Sequence, residues 1–228
     1  MKQLLLVWLL LVSNSLLAKE VFTANYDLYW GGMKVGAVTR KLVQNGNTYS
    51  FSSVAKPYGL AKLFVKSIVE KSRFHTKGNE FLPLAYFYEQ RGRKNRTIKH
   101  RYQWGSKTLY IDKPNKLRVK NMAANAIDLL SFQYFISKGL AGGKGSFVRS
   151  VYRKSKDPSV YTLIVRGKES VKTPAGKYNA TKVVRMNAKG HSFKAWCAEK
   201  LGFIPVKIEY TTKKGQLTKM ILTKINRN

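Results

Sequence analysis

The chain of 228 residues contains one cysteine, three histidines and 11 acidic residues. A lone Cys197 closes no internal disulfide and builds no Cys-rich metal site, so a disulfide scaffold and a zinc finger are both excluded. His75, His100 and His191 are far apart, and none has a metal-ligand neighbour two or four positions on, so neither a metal nor a cofactor is expected. A Cys/His nucleophile would need Cys197 to meet His191 or His100 in the fold; the simpler expectation is a small buried thiol. The few acids are scattered among many cations, which lower their proton affinity and work against a general acid. No catalytic constellation emerges, and the expectation is a protein that is not an enzyme. There is also no internal repeat and no low-complexity linker.

Long apolar runs are equally scarce. Lys2 precedes an apolar stretch from Leu4 to Val12, followed by Ser13-Asn14-Ser15 and Leu16-Leu17-Ala18. A charged start, a short apolar run and a small-residue cleavage site read as a secretory signal peptide covering residues 1–18. The apolar run is well short of the ~20 residues a membrane-crossing helix needs. Cleavage would remove one cation, Lys2, and no acid, so the net charge of +32 would become +31 on residues 19–228. The excess charge therefore belongs to the exported domain. No later segment is apolar enough to span a bilayer, so residues 19–228 are expected to form one periplasmic β-rich domain with no transmembrane segment.

Against these absences stand 43 Lys or Arg, 44% hydrophobic residues and 12% aromatics. That apolar content is enough to bury a core, which excludes a disordered basic tail. Alternating Tyr, Phe, Val, Thr and Ile segments are punctuated by turn signals at Gly31-Gly32, Asn45-Gly46-Asn47, Lys77-Gly78-Asn79, Gly105-Ser106-Lys107, Pro174-Ala175-Gly176, Ala188-Lys189-Gly190 and Lys213-Lys214-Gly215. The pattern predicts a mainly β fold: a curved antiparallel meander, or an open barrel-like sheet, of roughly ten strands packed on one buried helix. The helix is expected from an Asn125 cap through Leu140, with Asp128 near its positive end and glycines after it. Ile127, Leu129, Leu130, Phe132, Tyr134, Phe135 and Ile136 cover nearly every face of it, which places it in the concavity of the sheet. A second, short helix is expected within 57–67, where Leu60, Leu63 and Phe64 fall at helical spacing.

Four motifs occur in order along this skeleton: Tyr26 with Trp30-Gly31-Gly32 and Val35-Gly36; Asp128-Leu129-Leu130-Ser131; Thr173-Pro174-Ala175-Gly176-Lys177-Tyr178; and Trp196 with Gly202-Phe203-Ile204-Pro205-Val206. The series, over about residues 24–222, resembles the exported bacterial family called domain of unknown function 3108. The resemblance implies a secreted, β-rich envelope protein of Gram-negative bacteria with no established enzymatic activity. Read as residues, the motifs are mainly structural. Pro174 and Gly176 suit a hairpin turn, the glycines near Trp30 suit a bend or a close backbone approach, and Trp196 suits a core anchor. Asp128 and Ser131 could be a catalytic pair but fit better as a helix-start acid and a backbone-bonded hydroxyl. Gly142-Gly143-Lys144-Gly145-Ser146 lacks the spacing of a phosphate loop.

The cations carry the remaining information. Arg91, Arg93, Lys94, Arg96, Lys99 and Arg101 crowd one short stretch, Lys113, Lys116, Arg118 and Lys120 follow, and Arg149, Arg153, Lys154 and Lys156 form a third group. If 86–102 is one strand, cations occupy both of its faces, so it is expected at an edge or rim of the sheet. The preferred functional expectation is a periplasmic protein that binds an anionic amphiphile, a lipid or lipopolysaccharide. Its concave apolar sheet would take the acyl chains, and a basic rim of Arg91, Arg93, Lys94, Arg96, Lys99 and Arg101 would meet the phosphates. Two alternatives stay open: a structural envelope protein that adheres to anionic surfaces without a pocket, and a polyanion or nucleic-acid binder that stacks bases near Tyr102, Trp104 and Tyr110. Export argues against nucleic acid. An apolar cavity of several hundred Å³ would favour the amphiphile, and a filled core would favour plain adhesion.

Overall fold

The computed structural model describes residues 18–78, 80–153, 158–186 and 190–228. The signal peptide expected over 1–18 lies outside them except for its last residue, as do Lys154 and Lys156. Alternation of side chains makes almost everything else strand. The strands are β1 (Lys19–Trp30), β2 (Met33–Asn45), β3 (Thr48–Pro57), β4 (Val65–Lys77), β5 (Glu80–Gly92), β6 (Arg96–Gln103), β7 (Thr108–Lys113), β8 (Lys116–Asn121), β9 (Ala126–Asp128), β10 (Ser146–Tyr152), β11 (Ser159–Thr173), β12 (Gly176–Met186), β13 (Ser192–Ala198), β14 (Ile204–Thr211) and β15 (Leu217–Arg227). Among the described residues there is one α-helix, α1, spanning Leu129–Ala141.

All fifteen strands form one sheet in the order β8 through β1, then β15 back through β9. The chain thus lays down one half of the sheet outward from β1, crosses to the far edge, and returns by meander until β15 pairs with β1. Every pairing is antiparallel except β9 with β10, which are parallel and joined through α1. The sheet is curved and unclosed, with β8 and β9 as its edges. It curls until Asp128, at the end of β9, accepts a 2.8 Å hydrogen bond from Ser72 on β4. Fifteen strands stand where the turn signals delimit about ten. The two-residue turn at Pro114-Asn115, the hairpin at 93–95 and the three-residue β9 carry weak signals or are masked by charge.

Two readings are corrected here. The stretch 86–102 is the hairpin β5–β6, not one strand, and β6 lies between β5 and β7, away from either edge. Within β6 the alternation is ordinary: Ile98, His100 and Tyr102 face inward and are buried, while Lys99 and Arg101 face out. Gly31-Gly32 form the tight turn of the β1–β2 hairpin, both at positive φ, whereas Gly36 does lie at a strand bulge, opposite Leu28/Tyr29, where a Cβ would come 2.8 Å from the Lys56 carbonyl oxygen.

The helix occupies the concavity, and burial explains its composition. Leu130, Phe132, Phe135, Ile136 and Leu140 are buried, and the Tyr134 ring packs 4.9 Å from Phe74 and 5.0 Å from Tyr49. Its cap is Asp128, where Asn125 was expected, because Ala126–Asp128 is held in the parallel pairing with β10 and the helix can start only after it. The stretch expected as a second helix is a short 3-10 turn, Gly59–Leu63, with no buried residue.

The β5–β6 hairpin is pressed against this turn. Gly92 sits at φ 143°, and a Cβ there would lie 2.6 Å from the Phe64 carbonyl oxygen. Gly92→Ala is therefore expected to cost about 1–3 kcal/mol of stability through strain and backbone collision. A urea midpoint equal to that of the unsubstituted chain would refute the close approach.

Candidate functional site

The inward faces of β1, β2, β12 and β14, closed over by α1, leave two clefts that meet at Arg40. Period-two alternation in β2 carries Val38, Arg40 and Leu42 inward together, so Arg40 enters an otherwise apolar row. It is 7% exposed. Its Nη1 donates to Gln133 Oε1 of α1 at 2.6 Å, its guanidinium lies 5.4 Å from the Tyr26 ring, and its Nε has no partner. No ion pair holds it among the described residues; Glu70 is the nearby acid, and its carboxylate accepts from Tyr86 at 2.8 Å. Burial pushes the Arg40 guanidinium below its usual value, with Tyr26 and Glu70 opposing the shift. Leaving a guanidinium N–H buried and unpaired costs free energy, so a fold that retains one has a use for it or would be better without it.

On one side of Arg40 is a cleft of about 300 Å³ lined by Phe22, Tyr26, Leu42, Phe51, Tyr134 and Ile204. Tyr26 donates its hydroxyl to the Pro205 carbonyl at 3.0 Å, which fastens β1 to β14 at the cleft wall. On the other side is a cleft of about 230 Å³ lined by Leu129, Phe132, Ile136, Leu163, Phe193 and Ile208, together with the cations Arg40, Arg153 and Arg185 and one acid, Glu70. Arg185 stacks 3.5 Å over the Tyr161 ring, and Arg153 Nη1 donates to the Tyr161 hydroxyl at 3.1 Å. Arg185 Nε is also buried without a partner. Among the described residues, Arg40 Nε and Arg185 Nε are the two buried side-chain polar atoms left unsatisfied, and both belong to residues lining this one cleft.

The six cations expected to form a rim are divided. Arg91, Arg93, Lys94 and Arg96 sit at the tip of the β5–β6 hairpin, where Arg91 pairs with Glu89 at 3.0 Å. Lys99 and Arg101 line a separate open hollow of about 850 Å³ on the outer face, with Lys71, Arg73, Phe87 and Tyr110, and Arg101 stacks 4.3 Å over Tyr110. None of the six lines either inner cleft. The aromatics considered for base stacking are engaged: Tyr102 is buried, Trp104 Nε1 donates to the Pro83 carbonyl at 2.7 Å, and Tyr110 lies under Arg101.

Asp128 and Ser131 are a cap. Asp128 Oδ1 accepts from the backbone N–H of Leu130 and Ser131 at 2.9 and 2.8 Å, and Oδ2 accepts from the hydroxyls of Ser131 and Ser72 at 2.7 and 2.8 Å. Cys197 is buried in an apolar cluster with Ile127, Phe147 and Val183, and burial pushes its thiol up to about 12. Arg40 and Arg185 were missed in the sequence. The signal was their parity with Val38, Leu42 and Val183, visible once the inward face is known.

With this geometry in place, comparison with known proteins becomes informative. A family model described as "Protein of unknown function (DUF3108)" matches residues 25–223. The chain belongs to that family. The DUF3108 motifs are distributed through the site: Tyr26 and Pro205 meet at one cleft, and Asp128 caps the helix that forms the wall of both. Among solved structures, the DUF3108 chain is similar to a beta-barrel-like protein of domain of unknown function DUF1849 from Brucella abortus, at 10% identity and a TM-score of 0.58, covering 92% of this chain and 98% of that one. That likeness concerns the fold alone. A "putative lipoprotein" from Parabacteroides distasonis aligns at 10% identity and a TM-score of 0.38, covering 91% and 96% of the two chains. A "putative exported protein" with YmcC-like fold from Bacteroides fragilis aligns at 13% identity and a TM-score of 0.36, covering 92% and 97%. Among curated proteins, none matches the chain.

Proposed function

We propose that this DUF3108 protein is an exported, periplasmic binder of an anionic amphiphile, of the class to which phospholipids and lipopolysaccharide belong, and that it is a carrier without catalytic activity. One observation carries the reading: two guanidinium N–H groups, Arg40 Nε and Arg185 Nε, are buried and unpaired in residues lining a single cleft in which three arginines, with Arg153, outnumber the one acid, Glu70, beside seven apolar side chains. A phosphate or carboxylate there would lie among the guanidinium groups of Arg40, Arg153 and Arg185, which donate charge-assisted hydrogen bonds to such anions. Its apolar part would lie along Phe132, Ile136, Leu163 and Ile208, with the second cleft beyond Arg40 as further apolar room. The presence of clefts of about 300 and 230 Å³ favours this reading over adhesion without a pocket. The N-terminal signal pattern supports export.

Native mass spectrometry of protein purified from the periplasm, paired with lipid extraction, tests the proposal. An anionic lipid bound at about one per chain is expected. Protein that is lipid-free after gentle purification, and that takes up no anionic detergent or lipid on titration, would overturn it.

A further inference from the structure

One end of the sheet carries an apolar surface that the fold leaves uncovered. The β2–β3 pairing ends at Gly36 opposite Pro57, and the β4–β5 pairing ends at Val65 opposite Gly92, so the β1–β2 turn, the 58–64 connection and the β5–β6 turn stand side by side. Backbone bonds fix them together: Tyr58 N–H donates to Val35 O at 2.8 Å, and Arg93 N–H donates to Phe64 O at 3.1 Å. On this tip Leu60 is 80% exposed, Leu63 69%, Met33 66% and Phe64 57%, with Trp30 beside them at 48%. Scattered exposed apolar residues are ordinary, but a cluster at the end of adjoining turns marks an interaction surface.

The charge around the cluster identifies the partner. Lys56, Lys62 and Lys66 lie beside the apolar side chains, and Lys34 is there paired with Asp27 at 2.8 Å; residues 28–69 contain no Asp or Glu. The neighbouring hairpin adds Arg93 and Lys94, both exposed. Apolar and aromatic side chains projecting beyond a collar of cations match a lipid interface, where they enter the acyl boundary while the cations meet phosphates. A protein partner would call for acidic complementarity around an apolar pocket. A second copy of this chain cannot supply that, because it carries the same positive collar.

We propose that this tip docks the protein on an anionic lipid membrane, with Leu60, Leu63 and Phe64 inserted and Lys62, Lys66, Arg93 and Lys94 on the headgroup phosphates. The register gives the docking a direction. Trp30 is paired with Thr218, and Thr218 with Tyr210, so the tip shares a row of the sheet with a residue lining the arginine cleft. Docking would bring that cleft to the membrane face. The surface stands on observations separate from the buried arginines, and the two proposals fail separately.

The experiment is vesicle co-sedimentation of the purified protein with phosphatidylcholine alone and with phosphatidylcholine mixed with phosphatidylglycerol. Binding to the mixed vesicles, much weaker binding to the neutral ones, and loss of binding as ionic strength rises are expected. The triple variant Leu60→Ser, Leu63→Ser, Phe64→Ser should lose about tenfold or more in partition, and Arg93→Glu with Lys94→Glu about tenfold or more at low ionic strength. Both should melt with the unsubstituted protein, since the replaced side chains are exposed. Arg40→Met should dock normally, and an unsubstituted protein that docks but co-purifies no lipid refutes the cleft alone. Equal binding to neutral and mixed vesicles would overturn the docking proposal, as would undiminished binding by a folded triple variant. Sedimentation showing that the triple variant dissolves a dimer while leaving vesicle binding intact would also overturn it, in favour of self-association.

Discussion

Replacing Asp128 with alanine is expected to cost on the order of 3–4 kcal/mol of folding stability, the largest effect of any single polar substitution in the core. The carboxylate receives four donors: two backbone N–H groups from the first turn of α1, the Ser131 hydroxyl, and the Ser72 hydroxyl from β4. All sit in a fully buried environment, so alanine leaves them desolvated with no replacement. Burial pushes the Asp128 carboxyl above its usual range, against the hydrogen bonds, which favour the ionised form. The neutral isostere should therefore be tolerated far better. Asparagine keeps an oxygen for the two backbone groups and offers an amide to the two hydroxyl oxygens, so Asp128→Asn should cost only about 1 kcal/mol.

The link to Ser72 makes Asp128 more than a cap. It ties the β9 end of the sheet, reached last in the curl, to β4 in the opposite half. Ser72→Ala should thus destabilise the unsubstituted chain by about 1 kcal/mol and add little once Asp128 is alanine. Urea denaturation followed by tryptophan fluorescence measures the cycle. Additive losses would mean that the two residues act independently, and a loss below about 1 kcal/mol for Asp128→Ala would remove the cap from the account of the fold.

Much of this architecture was legible in the sequence because its determinants are local. Alternation sets which side chains face inward, Asn-Gly and Pro-Ala-Gly stretches set hairpins, and a helix apolar on nearly every face has to be enclosed. Three features were not legible, each for its own reason. The β5–β6 hairpin was hidden because the density of cations in 91–101 drew the reading toward an edge strand, although Gly92 and Asn95 carried the turn signal. Leu60, Leu63 and Phe64 have the spacing of a helix face, but spacing implies burial only where something covers the face, and the structure puts nothing there. The β9–β10 pair is parallel and β9 is three residues long, too short for any period to register. The site followed the same division. A bulk charge of +32 points to exposed clusters, and only Arg153 of those clusters lines the arginine cleft; Arg40 and Arg185 are marked solely by sharing a strand face with Val38, Leu42 and Val183.

Arg40→Met should abolish capture of an anionic amphiphile and at the same time leave the protein as stable as before or more stable, by about 1–3 kcal/mol. The two effects have one cause. In the fold Arg40 is a buried cation with no paired carboxylate, an unsatisfied Nε, and a proton affinity lowered first of all by burial. Methionine fills a similar volume, packs against Tyr26, Leu42 and Ile204 of the cleft walls, and removes the desolvated charge. What it gives up is the Gln133 bond and a weak one from Nη2 to Met220 Sδ at 3.6 Å; Gln133 is only half-buried, so water can replace its partner, and a thioether loses little without its donor. A structural arginine would behave in the opposite way, since breaking its bonds would destabilise the core with no compensating gain. Arg40→Lys separates charge from geometry: it keeps a cation but loses the fork of N–H donors, so capture should weaken without vanishing. Thermal melting and native mass spectrometry on the same preparations decide between the two. A variant Arg40→Met that is less stable by several kcal/mol assigns Arg40 to the fold, and one that still carries lipid at the unsubstituted stoichiometry removes it from the site.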